Sequence, residues 1–427
     1  MKALVLAAGR GERLRPLTDT RPKALVPIAG KPLLEHLIVN LDSLGIKNLV
    51  IVVGYRSDMV RSYFGDGARW GVKIEYANQN PHELTGEAAA ILAAEKFLNG
   101  EKTFLMTDGD VIDGEGIIAN TLTTSQKTDA DITIALTQVA DPTQYGVVKL
   151  GDRNRILKVV EKPRTLKEAP SNMAVSSVYV FKPTIFKALR QVGHLERAMV
   201  KMIDDGAKAY GTIWKGKWLD VGRPADILTA NQIMLERKFK AQDGRIVCES
   251  KNVHPSAKIY APTYIGPNVR VLENAVIRSS YIDEGATIGT NALVRDYSYI
   301  GRKATIGFTS EVARSVVMDE TAIGHLAYVG DSIIGQRCEI GAGVITSNMR
   351  FDRKNVKVMI SNKLADTGLD KFGAVIGDDA QIGVNVTIYP GRTIGAAAWI
   401  YPNVAIAQNI PSGVRVEART ILSMHKR

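Results

Sequence analysis

The spacing of hydrophobic positions changes character near residue 240. Before that point, short apolar runs at Ala3–Ala7, Leu49–Val53, Val72–Tyr76, Thr103–Met106 and Ile132–Leu136 alternate with longer amphipathic stretches such as Leu33–Leu44 and Ala88–Phe97. Short apolar runs between helical patterns predict strands and helices in turn, and so an α/β sheet with helices on both faces, a Rossmann-like arrangement. The stretch Pro224–Lys240 opens on a proline suited to a first helical turn. It carries Ile227, Leu228, Asn231, Met234 and Leu235 at broadly helical spacing, and reads as the helix that closes the first domain.

Beyond it, aliphatic residues recur every sixth position: Val253, Ile259, Ile265, Val271, Ile277, then after a one-residue slip Ile282, Ile288, Val294, Ile300, Ile306. The series Ile376, Ile382, Ile388, Ile394, Ile400, Ile406 keeps the interval without error, and glycine often follows, as in Ile288-Gly289 and Ile382-Gly383. Neither the helical nor the strand period produces this. A hexapeptide repeat predicts a parallel β-helix, with one aliphatic residue per face pointing into a narrow prism and small residues at its corners. The repeat is disturbed between Ile306 and Ile323. A polar and basic stretch, Thr346-Ser347-Asn348-Met349-Arg350-Phe351-Asp352-Arg353-Lys354, interrupts it between Ile340 and Ile376. Insertions in solenoids become loops on one face, often the functional one.

Composition changes this picture little. A chain of 427 residues is long enough for two or three domains, and the pattern divides it at 1–240 and 241–427. Of the 38 glycines 18 lie after residue 240, where they and the low aromatic content of 6% suit prism corners in which rings do not fit. The net charge of +11 is spread along the chain without a long basic run, so small anionic substrates explain it as well as nucleic acid does; the two anion-binding stretches that the motifs imply make small anions, and no nucleic acid, the expectation. Cys248 and Cys338 are the only cysteines, which excludes a CxxC zinc site and suits a reducing compartment. With no long apolar run and no signal-peptide pattern before the first strand, the expectation is a cytoplasmic enzyme that does not engage a membrane.

The candidate chemistry of the first half begins at residues 6–18, Leu-Ala-Ala-Gly-Arg-Gly-Glu-Arg-Leu-Arg-Pro-Leu-Thr, directly after the first strand. Gly9 and Gly11 allow close approach of backbone amides to a phosphate. The phrase is neither a Walker loop nor a dinucleotide fingerprint, and taken alone the Gly-x-Gly is a tight turn. Continued through Arg21-Pro22-Lys23-Ala24-Leu25-Val26-Pro27, it resembles the signature of the sugar-1-phosphate nucleotidylyltransferases. Such enzymes join a nucleoside triphosphate to a sugar 1-phosphate and release pyrophosphate. The resemblance implies that Arg13 grips the pyrophosphate and Lys23 the α-phosphate, and that Ala8, Gly9, Gly11, Gln79 and Gly86 line the nucleotide, with Gln79 on the pyrimidine edge. It implies Asp110 and Asp220 as the ligands of Mg²⁺, a hard cation that takes oxygen donors. It also places Gly146, Glu161 and Lys162 on the sugar phosphate. Two stretches depart from the family pattern: Gly86-Glu87-Ala88 where Gly-Thr is common, and Val175-Ser176-Ser177-Val178-Tyr179 where a glycine precedes the apolar–Tyr pair and N-acetylglucosamine-specific members carry an asparagine.

In the second half, His325-Leu326-Ala327-Tyr328 together with the stretch around Asn348 resembles the acetyl-transfer region of archaeal bifunctional enzymes, counterparts of the bacterial bifunctional N-acetylglucosamine-1-phosphate uridylyltransferase. By that resemblance the β-helix is left-handed and forms a homotrimer, acetyl-CoA is the co-substrate, and His325 is the general base. Tyr328 and Asn348 would orient an amino-sugar 1-phosphate, while Lys354 and Lys357 would hold its phosphate. His36, His82, His194, His254 and His425 have no comparable context and read as structural or solvated. The resemblance thus implies N-acetylation of glucosamine (or galactosamine) 1-phosphate and transfer from UTP or dTTP, giving UDP-N-acetylglucosamine. Two other readings stand beside it: a single-activity glucose-1-phosphate thymidylyl- or uridylyltransferase with an architectural β-helix, and a non-catalytic protein on the same plan, like certain subunits of the eukaryotic initiation-factor exchange complex. Retention of Arg13, Lys23, Asp110 and Asp220 speaks against the last.

Overall fold

A mixed nine-stranded sheet organises the first half of the chain. The computed structural model describes residues 1–79, 86–113 and 116–418. The strands that matter are β1 (Ala3–Ala7), β2 (Asn48–Val53), β3 (Lys73–Asn78), β4 (Phe104–Asp108), β5 (Val111–Asp113), β6 (Ile132–Gln138), β7 (Gly146–Leu150), β8 (Ile156–Glu161), β9 (Met173–Phe181), β10 (Ala209–Trp214) and β11 (Trp218–Asp220). The order across the sheet is β8-β7-β9-β4-β1-β2-β3, with β6 pairing β9 and β10. Strands β4, β1, β2 and β3 are mutually parallel, as alternating strand and helix patterns require. The antiparallel strand β9 joins this parallel half to the remainder. Its register slips between Val175 and Tyr179, so Ser176 and Ser177 form a bulge, and Ser177 takes a left-handed φ of 53°. That conformation accounts for the glycine common at this stretch in the family it resembles.

Helix α1 (Leu33–Ser43) shows why the amphipathic pattern holds. Leu33, Leu34, Leu37, Ile38 and Leu41 are buried along one face, packed with the aliphatic residues of β1 and β2. The helical stretch expected at Ala88–Phe97 is interrupted: α2 (Glu87–Ala93) ends at Ala94, and a single further turn follows.

The second half is a β-helix. Its short strands lie in three parallel sheets of eight, nine and eight strands, consistent with the left-handed form that hexapeptide repeats build. In one sheet Ile265 pairs with Ile282, Ile282 with Ile300, Ile300 with Val317, and Val317 with Ile334. The six residues Ile376 to Ile406 of the unbroken series are at most 3% exposed. Glycines stack where coils meet: a Cβ on Gly324 would lie 2.7 Å from the backbone nitrogen of Ala342, so no side chain fits. The disturbance expected between Ile306 and Ile323 carries no insertion. Ile306 pairs directly with Ile323, and Val312 and Val317 keep the buried positions between them in a coil one residue short. The second interruption is a true insertion: Ile334 pairs with Ile376, and the intervening chain folds out with a hairpin of Lys357–Ile360 against Lys363–Asp366.

The chain forms two compact units whose limits differ from the sequence division at residue 240. One comprises Met1–Arg10, Pro22–Leu25 and Pro32–Val221; the other comprises Gly11–Arg21, Val26–Lys31 and Gly222–Arg427. Helix α3 (Pro224–Ala241), read from sequence as closing the first domain, therefore groups with the β-helix. Asn231 Nδ2 donates to the carbonyl of Tyr297 at 2.8 Å, and Lys238 Nζ sits 4.0 Å from the ring centre of Tyr281. Among the described residues no helix is long and apolar enough to cross a membrane.

Candidate active site

In the first unit the chemistry gathers at the carboxyl ends of the parallel strands, where ligands of open α/β sheets bind. Strand β4 ends at Asp108, opposite Leu6 of β1, and Asp110 follows in the turn. Strands β5 and β11 then pair antiparallel, with Asp220 opposite Val111, and the Val221 N–H donates to the carbonyl of Asp110 at 3.2 Å. This local pairing brings the two distant carboxylates together. The ammonium of Lys23 lies between them, hydrogen-bonded to Asp110 Oδ2 and 3.8 Å from Asp220 Oδ1.

Asp110 Oδ1 is buried and has no hydrogen-bond partner among the described residues. Two carboxylates facing one lysine leave an excess negative charge, and an orphaned carboxylate oxygen is a ligand atom awaiting a cation. The pair fits a divalent cation that draws its other oxygens from a triphosphate. No group of three or more His, Cys, Asp or Glu side chains able to hold a metal without such help occurs among the described residues.

The same unit also holds other expected positions. A Cβ on Gly9 or Gly86 would meet nothing within 4 Å, so both glycines border open space. Ala8 caps β1, its carbonyl accepting from Tyr55 N at 3.1 Å. Gln79 Nε2 donates to the carbonyl of Gly86 at 2.9 Å, which leaves its Oε1 as an acceptor. Gly146 and Glu161 are direct cross-strand partners, and a Cβ on Gly146 would lie 2.7 Å from Glu161 Oε2. Lys162 pairs with Glu161 at 3.1 Å. Gly11 and Arg13 belong to the second unit. There Gly11 holds φ at 65°, and the Arg13 guanidinium lies so near Gly222 that a Cβ on it would be 3.1 Å away.

Asp108 is a further carboxylate of this centre, outside the positions that the motifs imply. Burial and the adjacent Asp110 push its carboxyl up to about 7, opposed by the bond from Ser177 in the bulge. Glu87 lies in the same acidic field: burial, then Asp108, Glu196 and Glu161, hold its carboxyl well above the ordinary carboxylate range. The doubled acid in Asp108-Gly109-Asp110 was the available signal; the burial was not legible.

A second cluster occupies the β-helix. Asn348 Nδ2 donates to Tyr328 Oη at 3.1 Å and to Asp331 Oδ2 at 2.5 Å. Asp331, 5% exposed, is gripped by Arg314 through Nε at 2.6 Å and Nη2 at 2.9 Å. Asp331 and Arg314 are thus supports that the sequence reading left without a role. His325 is exposed one coil corner away, its Nδ1 accepting the Phe308 N–H at 3.0 Å. Lys354 and Lys357 are exposed on the insertion. Of the remaining histidines, His36 lies on α1, His194 precedes a helix and His254 bonds Ser256; His82 and His425 lie outside the described residues.

Fold and centre together define a nucleotidyl transferase that carries a hexapeptide β-helix. The chain belongs to the nucleotidyl transferase family, whose model matches residues 2–237; a second model, of the GMPPB C-terminal domain, matches residues 276–388. The Bifunctional protein GlmU of Methanocaldococcus jannaschii is 35% identical over 100% of both chains. The bifunctional sugar-1-phosphate nucleotidylyltransferase/acetyltransferase of Sulfurisphaera tokodaii is 34% identical over 97% of this chain and 99% of its own. The low-salt glycan biosynthesis nucleotidyltransferase Agl11 of Haloferax volcanii, 33% identical, is covered over 99% of its length by 76% of this chain.

Proposed function

We propose that the protein is a bifunctional enzyme of nucleotide-sugar synthesis, a sugar-1-phosphate nucleotidyltransferase and an amino-sugar-1-phosphate acetyltransferase, with the activities divided between residues 1–240 and 241–427. The observation that carries the first activity is Lys23 set between Asp110 and Asp220. In nucleotidyl transfer an oxygen of the sugar phosphate attacks the α-phosphorus, the new P–O bond forms as the bond to pyrophosphate breaks, and charge spreads over the phosphoryl oxygens. Lys23 neutralises that charge at the α-phosphate and Arg13 at the departing pyrophosphate; neither gains nor loses a proton. Asp110 and Asp220 would hold Mg²⁺, which supplies further positive charge to the triphosphate. The acceptor Oε1 of Gln79 suits the ring N–H of uracil or thymine, which supports UTP or dTTP. Glu161 accepts from sugar hydroxyls, and Lys162 holds the sugar phosphate.

In acetyl transfer the amine of glucosamine 1-phosphate attacks the thioester carbon of acetyl-CoA. The C–N bond forms, the C–S bond breaks, and His325 takes the amine proton and returns it to the leaving thiolate. Its single lone pair is engaged by the Phe308 N–H, so proton uptake requires the ring to turn from that bond. Asn348 and Tyr328 orient the amino sugar, and Lys354 and Lys357 attract its phosphate. The apolar side chains of Phe308 and Leu326, 45% and 60% exposed beside His325, support a homotrimer with this site at the subunit contact. The absence of a membrane-crossing helix among the described residues and the diffuse charge fit a cytoplasmic enzyme acting on small anions.

The test is product analysis with UTP and dTTP crossed against glucose, glucosamine and N-acetylglucosamine 1-phosphates, with and without acetyl-CoA. UDP-N-acetylglucosamine formed from glucosamine 1-phosphate, acetyl-CoA and UTP is expected. Pyrophosphate release without any CoA release would instead establish the single-activity reading with an architectural β-helix, which Glu87 and Val175 favour at the sugar and base positions.

A further inference from the structure

The segment Gly11–Arg21, which carries Arg13, belongs to the same compact unit as the β-helix. Its only regular structure is the single turn Glu12–Leu14. Within the segment the backbone is held by turn bonds alone, as from Leu17 N to the Leu14 carbonyl at 3.1 Å and from Asp19 N to the Pro16 carbonyl at 3.2 Å, so its placement depends on outside restraint.

That restraint comes from a β-helix corner. Arg21 is 6% exposed and Asp378 1% exposed, and the guanidinium of Arg21 pairs with the Asp378 carboxylate. Arg21 Nη2 also donates to Gln336 Oε1 at 3.1 Å. Thr20 Oγ1 donates to Asp378 Oδ2 at 2.6 Å, and the Gln336 N–H to Asp378 Oδ1 at 2.9 Å. One buried carboxylate therefore gathers a side chain from each of two consecutive segment residues and the backbone of the neighbouring coil. Further along the segment, Ser412 Oγ donates to Asp19 Oδ2 at 2.8 Å, and Pro16 packs within 3.0 Å of where a Cβ on Gly377 would be. Thr18 Oγ1 closes the segment on itself through the carbonyl of Gly11 at 2.8 Å.

A buried ion pair adds little net stability, because desolvation cancels most of the attraction, and in some proteins its use is to fix one geometry. We propose that Asp378 is a positioning residue for nucleotidyl transfer, acting through Arg21 and Thr20 on the segment that bears Arg13. This rests on the role of Arg13 given above. Misplacement of a charged group by about an ångström lowers turnover by as much as ~100-fold while leaving remote binding contacts in place.

The test uses the full-length protein with Asp378→Asn, the double variant Arg21→Met/Asp378→Leu, and Arg13→Ala as control. Nucleotidyl transfer, acetyl transfer and melting temperature are measured on each preparation. For Asp378→Asn the expectation is a kcat for nucleotidyl transfer lowered by about tenfold or more, KM for the sugar phosphate within about twofold, and acetyl transfer at the wild-type rate. The double variant, which replaces the pair by apolar side chains, is expected to recover melting temperature while kcat stays low. If Arg13→Ala abolishes transfer while Asp378→Asn and the double variant keep wild-type kcat, the positioning role falls and the role of Arg13 stands. Parallel loss of acetyl transfer and melting temperature in Asp378→Asn, with kcat restored in the double variant, would also overturn it, as a purely structural effect. Wild-type turnover in Arg13→Ala would overturn the reading on which the proposal rests.

Discussion

Asp110 and Asp220 share the ammonium of Lys23 because the strands that follow and precede them pair antiparallel, Val111 opposite Asp220. Each carboxylate is held by backbone geometry, which is how a charge centre is kept aimed without reorganising during a reaction.

Removing either end of this relationship is expected to cost nucleotidyl transfer alone. Lys23→Ala or Asp110→Asn should lower its kcat by roughly 100- to 1,000-fold, the usual scale for a group that stabilises transition-state charge. Chelation of divalent metal should stop the same reaction. Acetyl transfer measured on the same samples should not change; a parallel loss would place the two activities in one site.

The β-helix cluster makes the complementary prediction. His325→Ala should lower acetyl transfer by about 100- to 10,000-fold, the range for a general base. Asp331→Asn, which weakens the hold of Arg314 and the bond to Asn348, should raise KM for the amino-sugar phosphate more than it lowers kcat. Steady-state kinetics with varied acceptor separates the two effects.

Glu87 offers a stability test with a definite sign. Its carboxyl titrates well above the ordinary value because burial and the Asp108, Glu196 and Glu161 carboxylates disfavour its charge. An acid raised on folding takes up a proton as the chain folds, so its contribution is complete below the unfolded value and declines as pH rises. Glu87→Gln removes that decline. The variant should melt higher than wild type at pH 8, and the gain should vanish near pH 4 in calorimetric scans.

The two thiols should differ sharply. Cys338 is fully buried, and burial pushes its thiol up to about 12; Cys248 is exposed. Only the thiolate reacts. One thiol per native chain should label at pH 8, and both after denaturation, as counted by mass spectrometry.

Packing of the prism sets the last expectation. Ile388→Ala should cost about 2–5 kcal/mol, as for other buried isoleucines. Gly324→Val should be at least as damaging, since its first side-chain carbon already meets the backbone of the next coil. Thermal melting of both variants measures this.

Much of this was legible along the chain. The sixth-residue aliphatic interval specified the β-helix because one buried residue per face is a local condition, repeated without reference to distant sequence. The alternation of apolar runs and amphipathic stretches likewise specified the α/β sheet, and Lys23, Asp110 and Asp220 could be singled out by their match to a family signature. What the sequence could not express is pairing across long separations. The β5–β11 ladder that joins the two carboxylates, the bulge at Ser177 that aims its hydroxyl at Asp108, the grip of Arg314 on Asp331, and the burial of Asp378 against Arg21 each depend on which distant segments exclude water together. Charge and burial are properties of that packed neighbourhood, so only the tertiary structure decided which carboxylates carry a shifted charge and which side chains hold others in place.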